Sequence, residues 1–303
     1  MLRRLSTTFL KLPYICKLIT ERDHLQKSCG FVPPGHFYSP IPSLADIATD
    51  SDQIFSINSK EIPGVNLREN AQLELLNKFI GFYSEQPFTA HKNHENRYYF
   101  ENPSYSYSDA ILLHCMIRHL TPKRIVEVGS GYSSCVMLDT NDLFFDGQVK
   151  NTFIEPYPDL LLSLIKRDDK SKIRLIPDRV QHVDLGVFEE LEKNDILFID
   201  STHVTKINSD VNRILFDILP RLKPGVYVHF HDVFFPFEYP KEWVFKGISW
   251  NEQYILRAFL QYNSQFRVVL MNTFMEHFHE SFFDENMPLC LKNRGGSIWI
   301  EKL

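Results

Sequence analysis

The chain has no apolar run approaching the roughly 18–20 residues that cross a bilayer as a helix. It also has no CxxC pair and no GK[ST] sequence. These absences exclude a transmembrane segment, a zinc knuckle built on paired cysteines, and a phosphate-cradling P-loop. Positive charge is not in surplus either: 33 Lys and Arg face 38 Asp and Glu, for a formal net charge of −5. Nucleic acid is therefore not an expected partner, because proteins that bind it carry a basic face. The five cysteines, Cys16, Cys29, Cys115, Cys135 and Cys290, are odd in number and scattered. They read as reduced thiols in a cytoplasmic compartment, not as a disulfide framework. Internal repeats and low-complexity tracts are missing too. What remains is a globular composition, 44% hydrophobic and 23% charged over 303 residues, long enough to bury a full core.

The first hundred residues are irregular. MLRRLSTTFLKLPYICKLI has two arginines and an apolar stretch, which raises the question of a targeting peptide. Lys11, Pro13 and Lys17 interrupt that stretch and no small-residue cleavage site follows, so the expectation is an amphipathic helix continuing through 20–27. Pro33, Pro34, Pro40 and Pro42 then rule out helix or central strand. That segment is expected to run as an extended arm. Its aromatics, Phe31, Phe37 and Tyr38, would pack on the remainder of the chain or on a second subunit, which leaves room for a homo-oligomer. Apolar residues at three- and four-residue spacing predict helices over 70–83 and 108–119. The reading divides the chain into a helical and Pro-rich extension, 1–103, and a second domain, 104–303.

From Arg124 onward strands and helices alternate. RIVEVG, VKNTFIEP, KIRLIP, DILFID and GVYVHFHD read as strands one to five, each followed by a helical pattern. FRVVLMNTF and GSIWIEK read as two closing strands with no helix between them, so that one returns antiparallel. The fold class is α/β: a Rossmann-like, seven-stranded, mostly parallel sheet with helices on both faces and the last strand antiparallel. In such sheets ligands sit at the carboxyl ends of the strands, beside the switch point. The polar residues that need explaining fall at those ends: Glu127 to Tyr132 after strand one, Glu155 after two, Asp200 to His203 after four, and His231 with Asp232 after five.

The turn after strand one, Gly129-Ser130-Gly131, lacks the third glycine of a dinucleotide turn. It also holds Glu127, whose charge would repel a pyrophosphate. An acid there suits a cationic or amine-bearing ligand. With Glu155 and Asp200 at the neighbouring tips, the pattern resembles the class I S-adenosylmethionine-dependent methyltransferases over residues 104–303. IDSTH at 199–203 and FHDV at 230–233 resemble the group that contains macrolide sugar O-methyltransferases and cephalosporin-hydroxylase-like proteins. The resemblance implies S-adenosyl-L-methionine as cofactor. Gly129, Ser130 and Gly131 would let the backbone approach its methionine part, Glu127 would lie near its amino group, and Glu155 would accept the ribose hydroxyls. Ser133 stands where many members carry a further glycine. Asp178, after strand three, could reach the adenine edge, and Asp200 would complete the cofactor pocket.

Methyl transfer to a hydroxyl also needs a proton acceptor. Asp200, His231 and Asp232 form a carboxylate–imidazole–carboxylate set suited to Mg²⁺ or another divalent cation. His203, three residues after Asp200, is the expected base, with His231 as the other catalytic candidate. His229 alternates with His231 and is expected in the core. HDVFFPFEYPKEW is either an acceptor-pocket wall or a packed loop; Tyr105, Tyr107, Ser108 and Asp109 are candidate roof residues; His277 and His279 read as exposed loop residues. The function this supports is O-methylation of a small molecule or sugar unit. The alternatives are a metal-dependent hydroxylase or hydrolase reusing the fold, and a non-catalytic scaffold.

Overall fold

In the computed structural model of the protein, residues 13–28 and 30–303 are described. The expected N-terminal helix is present as α1 (Pro13–Ser28); residues 1–12 and Cys29 of that reading lie outside the described residues. The chain separates into two compact units. One comprises the described part of 13–56 together with Lys241–Ser249; the other comprises Ile57–Pro240 and Trp250–Leu303.

The smaller unit holds α1, α2 (Leu44–Thr49) and α3 (Ser51–Ile54). Ser43 caps α2 by accepting from the Asp46 amide. The Pro-rich arm does not bury its aromatics. Phe31, Phe37 and Tyr38 are exposed at 90%, 81% and 68% and stack on one another and on His36. Pro33, Pro34, Pro40 and Pro42 keep the segment from forming regular structure, so the rings meet only over short range.

The larger unit is built on a seven-stranded sheet in the order β3-β2-β1-β4-β5-β7-β6. Its strands are β1 (Arg124–Val128), β2 (Lys150–Ile154), β3 (Arg174–Ile176), β4 (Ile196–Ile199), β5 (Tyr227–His231), β6 (Phe266–Met271) and β7 (Ser297–Lys302). β1 to β5 pair in parallel, while β7 runs antiparallel to both β5 and β6. The fold class therefore matches the expectation. β1, β4 and β5 are buried over nearly their whole length, which is why they read as continuous apolar runs rather than alternating ones.

The helices of this unit are α4 (Glu69–Ser84), α5 (Tyr107–Leu120), α6 (Tyr132–Phe144), α7 (Asp159–Leu164) and α8 (Gly186–Glu189). A helical run over 210–221, α9, passes from α through π to 3-10 geometry. No described helix is long and apolar enough to cross a membrane.

Two expectations are corrected here. β6, which follows α10 (Lys241–Phe245) and α11 (Glu252–Leu260), stops at Met271, and the segment between it and β7 is helical: α12 (Asn272–Phe278) and α13 (Glu280–Asn286). Phe274, Met275, Phe283 and Met287 from this segment enter the core, which is what holds it as helix. Within it His277 is exposed, but His279 pairs with Glu69 at 2.7 Å. The boundary at 103/104 also moves. Residues 57–103 belong to the larger unit because Leu76, Phe79 and Tyr98 are fully buried in its core.

Candidate functional site

Backbone hydrogen bonds carry the sheet ladder past the strand ends. The Gly129 amide donates to Ile154 O at 3.0 Å, the Asp200 amide to Val128 O at 2.9 Å, and the Glu155 amide to Ile176 O at 3.1 Å. The tips of β2, β1 and β4 are thus locked side by side, at the point where the connections leave β1 in opposite directions.

Gly129 has φ +82°, and a Cβ there would lie 1.8 Å from Asp200 O. Both facts require glycine. Glu155 turns toward this loop, accepting from the Ser130 amide at 3.1 Å and from the Tyr157 amide at 2.8 Å. Each carboxylate oxygen keeps a free lone pair.

Glu127 is fully buried beneath the turn. Its carboxylate accepts from Ser133 Oγ at 2.5 Å and from Ser134 Oγ. Burial raises its pKa to about 8 against the pull of those hydroxyls. Its oxygens therefore tie α6 to β1, and its charge is suppressed. Ser133, which departs from the glycine of the resembled family, supplies one of these donors. Asp178 lies on the surface, bonded to His182 Nδ1 at 2.9 Å and to the Arg179 amide at 2.7 Å. His182 is the main cause that holds its carboxyl below the usual range.

The second cluster sits at the tips of β4 and β5. Among the described residues, Asp200, His231 and Asp232 each offer one ligand atom, all within 4.8 Å of one another. His231 is buried with Nδ1 unpartnered, and its Nε2 lies 3.7 Å from Asp232. His203 is buried beside them. Its Nε2 is 3.3 Å from Asp200 and 3.5 Å from Asp232, while Nδ1 donates to Glu252 Oε2 at 2.8 Å. Burial opposes the charge on this ring, but Asp200 and Glu252 outweigh it and push the pKa up to about 10. Burial likewise opposes charge on Asp200, whose carboxyl is nonetheless held low by His231 and His203. Asp232 is raised to about 6, with burial the largest cause.

These neighbours bear on the role of His203: carboxylates face both ring nitrogens, which favours the imidazolium, the form that donates to acids, over the neutral ring that a base requires. Glu252, which holds Nδ1, sits in the sequence only as part of a helical pattern; its contact spans 49 residues of sequence. His229 behaves as expected. It is buried, stacked on Phe198 at 4.1 Å, and held neutral by desolvation. The segment after β5 packs inward, with Phe235, Phe237 and Tyr239 all buried. Tyr105 packs 5.1 Å from His231, and its hydroxyl donates to Asp109 O at 3.1 Å. A cavity of about 500 Å³ lies at the opposite ends of β1 and β2, lined by Lys123, Arg124, Asp146 and Lys150. It contains no paired acids and imidazoles, so convergence of polar groups, not cavity size, locates the site.

Comparison with known proteins adds the family. Residues 126–233 match the model of a methyltransferase domain. An uncharacterized protein of Archaeoglobus fulgidus is 38% identical over 171 residues, covering 54% of this chain and 75% of that protein. Two solved structures share 15% identity and cover 86% of this chain. They are the O-methyltransferase TomG of Streptomyces achromogenes in complex with SAM (96% of its chain, TM-score 0.43) and a putative caffeoyl-CoA O-methyltransferase of Staphylococcus aureus (100%, 0.44). The matched segment 126–233 opens within β1 and closes just past Asp232, so it contains the glycine turn and both acid–imidazole tips; the chain belongs to the methyltransferase-domain family.

Proposed function

We propose that this protein transfers a methyl group from S-adenosyl-L-methionine to a hydroxyl of a small molecule or sugar unit. The observation that carries this reading is the locked adjacency of the Gly129–Gly131 turn, Glu155 and Asp200, which sets a cofactor cradle directly beside an acid–imidazole cluster. Glu155 holds the two ribose hydroxyls with its free lone pairs, and the bare Gly129 and Gly131 backbone admits the methionine part. Transfer then needs an acceptor oxygen aligned with the sulfonium methyl and relieved of its proton.

Asp200, His231 and Asp232 fit a divalent cation: one donor atom of each converges within 4.8 Å of the others, with His231 Nε2 3.7 Å from Asp232. A bound cation would lower the acceptor hydroxyl's pKa. A second reading rests on Asp232. With a pKa near 6 its carboxylate is ionised at neutral pH yet basic enough to take the proton itself.

The experiment is isothermal calorimetry with S-adenosylmethionine and S-adenosylhomocysteine, followed by a labelled-methyl screen of hydroxylated acceptors. Micromolar binding is expected. Glu155→Ala should weaken it by about 2–3 kcal/mol, the loss of two charge-assisted hydrogen bonds. Absence of binding by the intact protein sinks the reading. Exhaustive chelation should abolish transfer but not cofactor binding, with Mg²⁺ or Mn²⁺ restoring it; turnover that survives chelation removes the metal from the reading and leaves the proton to a side chain of the cluster, Asp232 or His231.

A further inference from the structure

His203 sits in a loop whose backbone is strained, with φ +59° at a non-glycine residue. That conformation persists only if its surroundings over-determine it, and here they do. The His203 carbonyl accepts from the amides of Asn251 at 3.0 Å and Glu252 at 3.1 Å, at the start of α11. Asn251 Oδ1 accepts from the Thr205 amide at 2.5 Å, and its Nδ2 donates back to Thr205 O at 3.3 Å. Asp210 holds the other side of the loop, accepting from the Thr202 amide at 2.9 Å and from Thr202 Oγ1 at 2.7 Å. Trp250 lies against the His203 ring at 4.4 Å, and Glu252, itself 1% exposed, binds Nδ1 from beneath.

We propose that Glu252 is a positioning residue for methyl transfer: its carboxylate fixes the His203 ring so that Nε2 is aimed between Asp200 and Asp232. The inference rests on the methyltransferase reading for its purpose, but its geometry stands independently of it. Of the four neighbours that hold the loop, Glu252 alone grips the ring nitrogen; Asn251 and Asp210 fix the backbone, and Trp250 fixes the plane. Without Glu252 the ring keeps its contact with Trp250 but loses the partner on Nδ1, so a flip about χ2 that exchanges the two nitrogens is no longer opposed from that side. Asp200 and Asp232 would then lose a donor set at a defined angle, and the acceptor oxygen would meet a cluster whose carboxylates repel each other.

Protein labelled with ¹⁵N-histidine, in long-range ¹H–¹⁵N correlation spectra, reads this directly. The His203 ring should show a hydrogen-bonded Nδ1–H in the wild type, lost or averaged in Glu252→Ala. Glu252→Gln, of nearly the same shape, should keep the fold and S-adenosylhomocysteine affinity. With an acceptor found by the labelled-methyl screen, Glu252→Ala should lower kcat by about 10–100-fold, the range for losing an outer partner of a functional imidazole, and leave KM within about twofold, while Glu252→Gln, whose amide oxygen still accepts from Nδ1–H, should recover most of that loss. Should Glu252→Ala fail to fold, Glu252→Met, which also lacks an acceptor, takes its place. An unchanged ring signal or an unchanged kcat in the variant without an acceptor overturns the proposal. Failure of the wild type to bind S-adenosylhomocysteine would overturn the methyltransferase reading while leaving the ring assignment standing on its spectrum.

Discussion

Glu127 shows how far one residue can be read without coordinates. Its place after an apolar strand and two residues before a glycine announces a ligand turn. That it spends both oxygens on Ser133 and Ser134 is visible only once α6 folds back over β1. The consequence is a pH effect with a definite sign. Burial lifts its carboxyl to about 8 in the folded chain against an ordinary 4.5, so the fold binds a proton that the unfolded chain releases. Stability from this group is full below pH 4.5 and is lost as pH rises through about 8. Glu127→Gln removes the ionisation while keeping the shape. Thermal melts of the two proteins should therefore diverge in favour of the variant as pH rises from about 5 to about 8. A melting-temperature difference that stays constant over that range contradicts the burial argument.

At the scale of elements, strand tips were legible because the chemistry is local: each acid or imidazole follows its own apolar run. β1 to β5 and the helices α4 to α6 announce themselves by period and by glycine punctuation. The segment 272–292 was not legible, because Asn-Thr-Phe continues the apolar pattern of β6 and only packing of Phe274 and Met275 turns it into helix. The irregular chain before α5 was misjudged for a similar reason. Its anchor is Arg97, a single cation in a loop, buried against three carboxylates far along the sequence. It binds Asp139 at 2.7 Å, Asp142 at 2.8 Å and, through Nε, Asp169 at 2.6 Å, while Asp139 also accepts from the Arg97 and Tyr98 amides at 2.9 and 2.8 Å. Removing one member of a buried ionic cluster leaves its partners uncompensated, so Arg97→Met should cost about 3–5 kcal/mol in denaturant unfolding. The neighbouring Asp139→Asn should cost less, because its amide oxygen can still accept from the backbone. Equal small losses, near those of a surface pair, would mean that the cluster is solvated and does not anchor the loop.

For the whole molecule, the open choice is where an independently folding piece begins. Sequence composition places the break near residue 103, since everything before it is proline-punctuated. The compact units place it at 56/57, with Lys241–Ser249 also falling to the smaller one. The reason is α4. Its Leu76 and Phe79 are fully buried among the residues of α5, and Cys115 Sγ reaches Phe79 O at 3.8 Å. α4 also covers the sheet's edge strand: the Met271 amide of β6 donates to Gln72 Oε1 at 2.7 Å, and Arg68 donates to Val268 O at 3.2 Å. An uncovered edge of that kind invites pairing with another chain. Two truncations separate the alternatives. A chain starting at Ile57 should stay monodisperse in size-exclusion chromatography and bind S-adenosylhomocysteine like the full protein. A chain starting at Ser104 exposes the face of α5 and the edge of β6 together, and should aggregate. If the Ser104 chain is as well behaved as the Ile57 chain, α4 is not part of the core and the boundary belongs where composition put it.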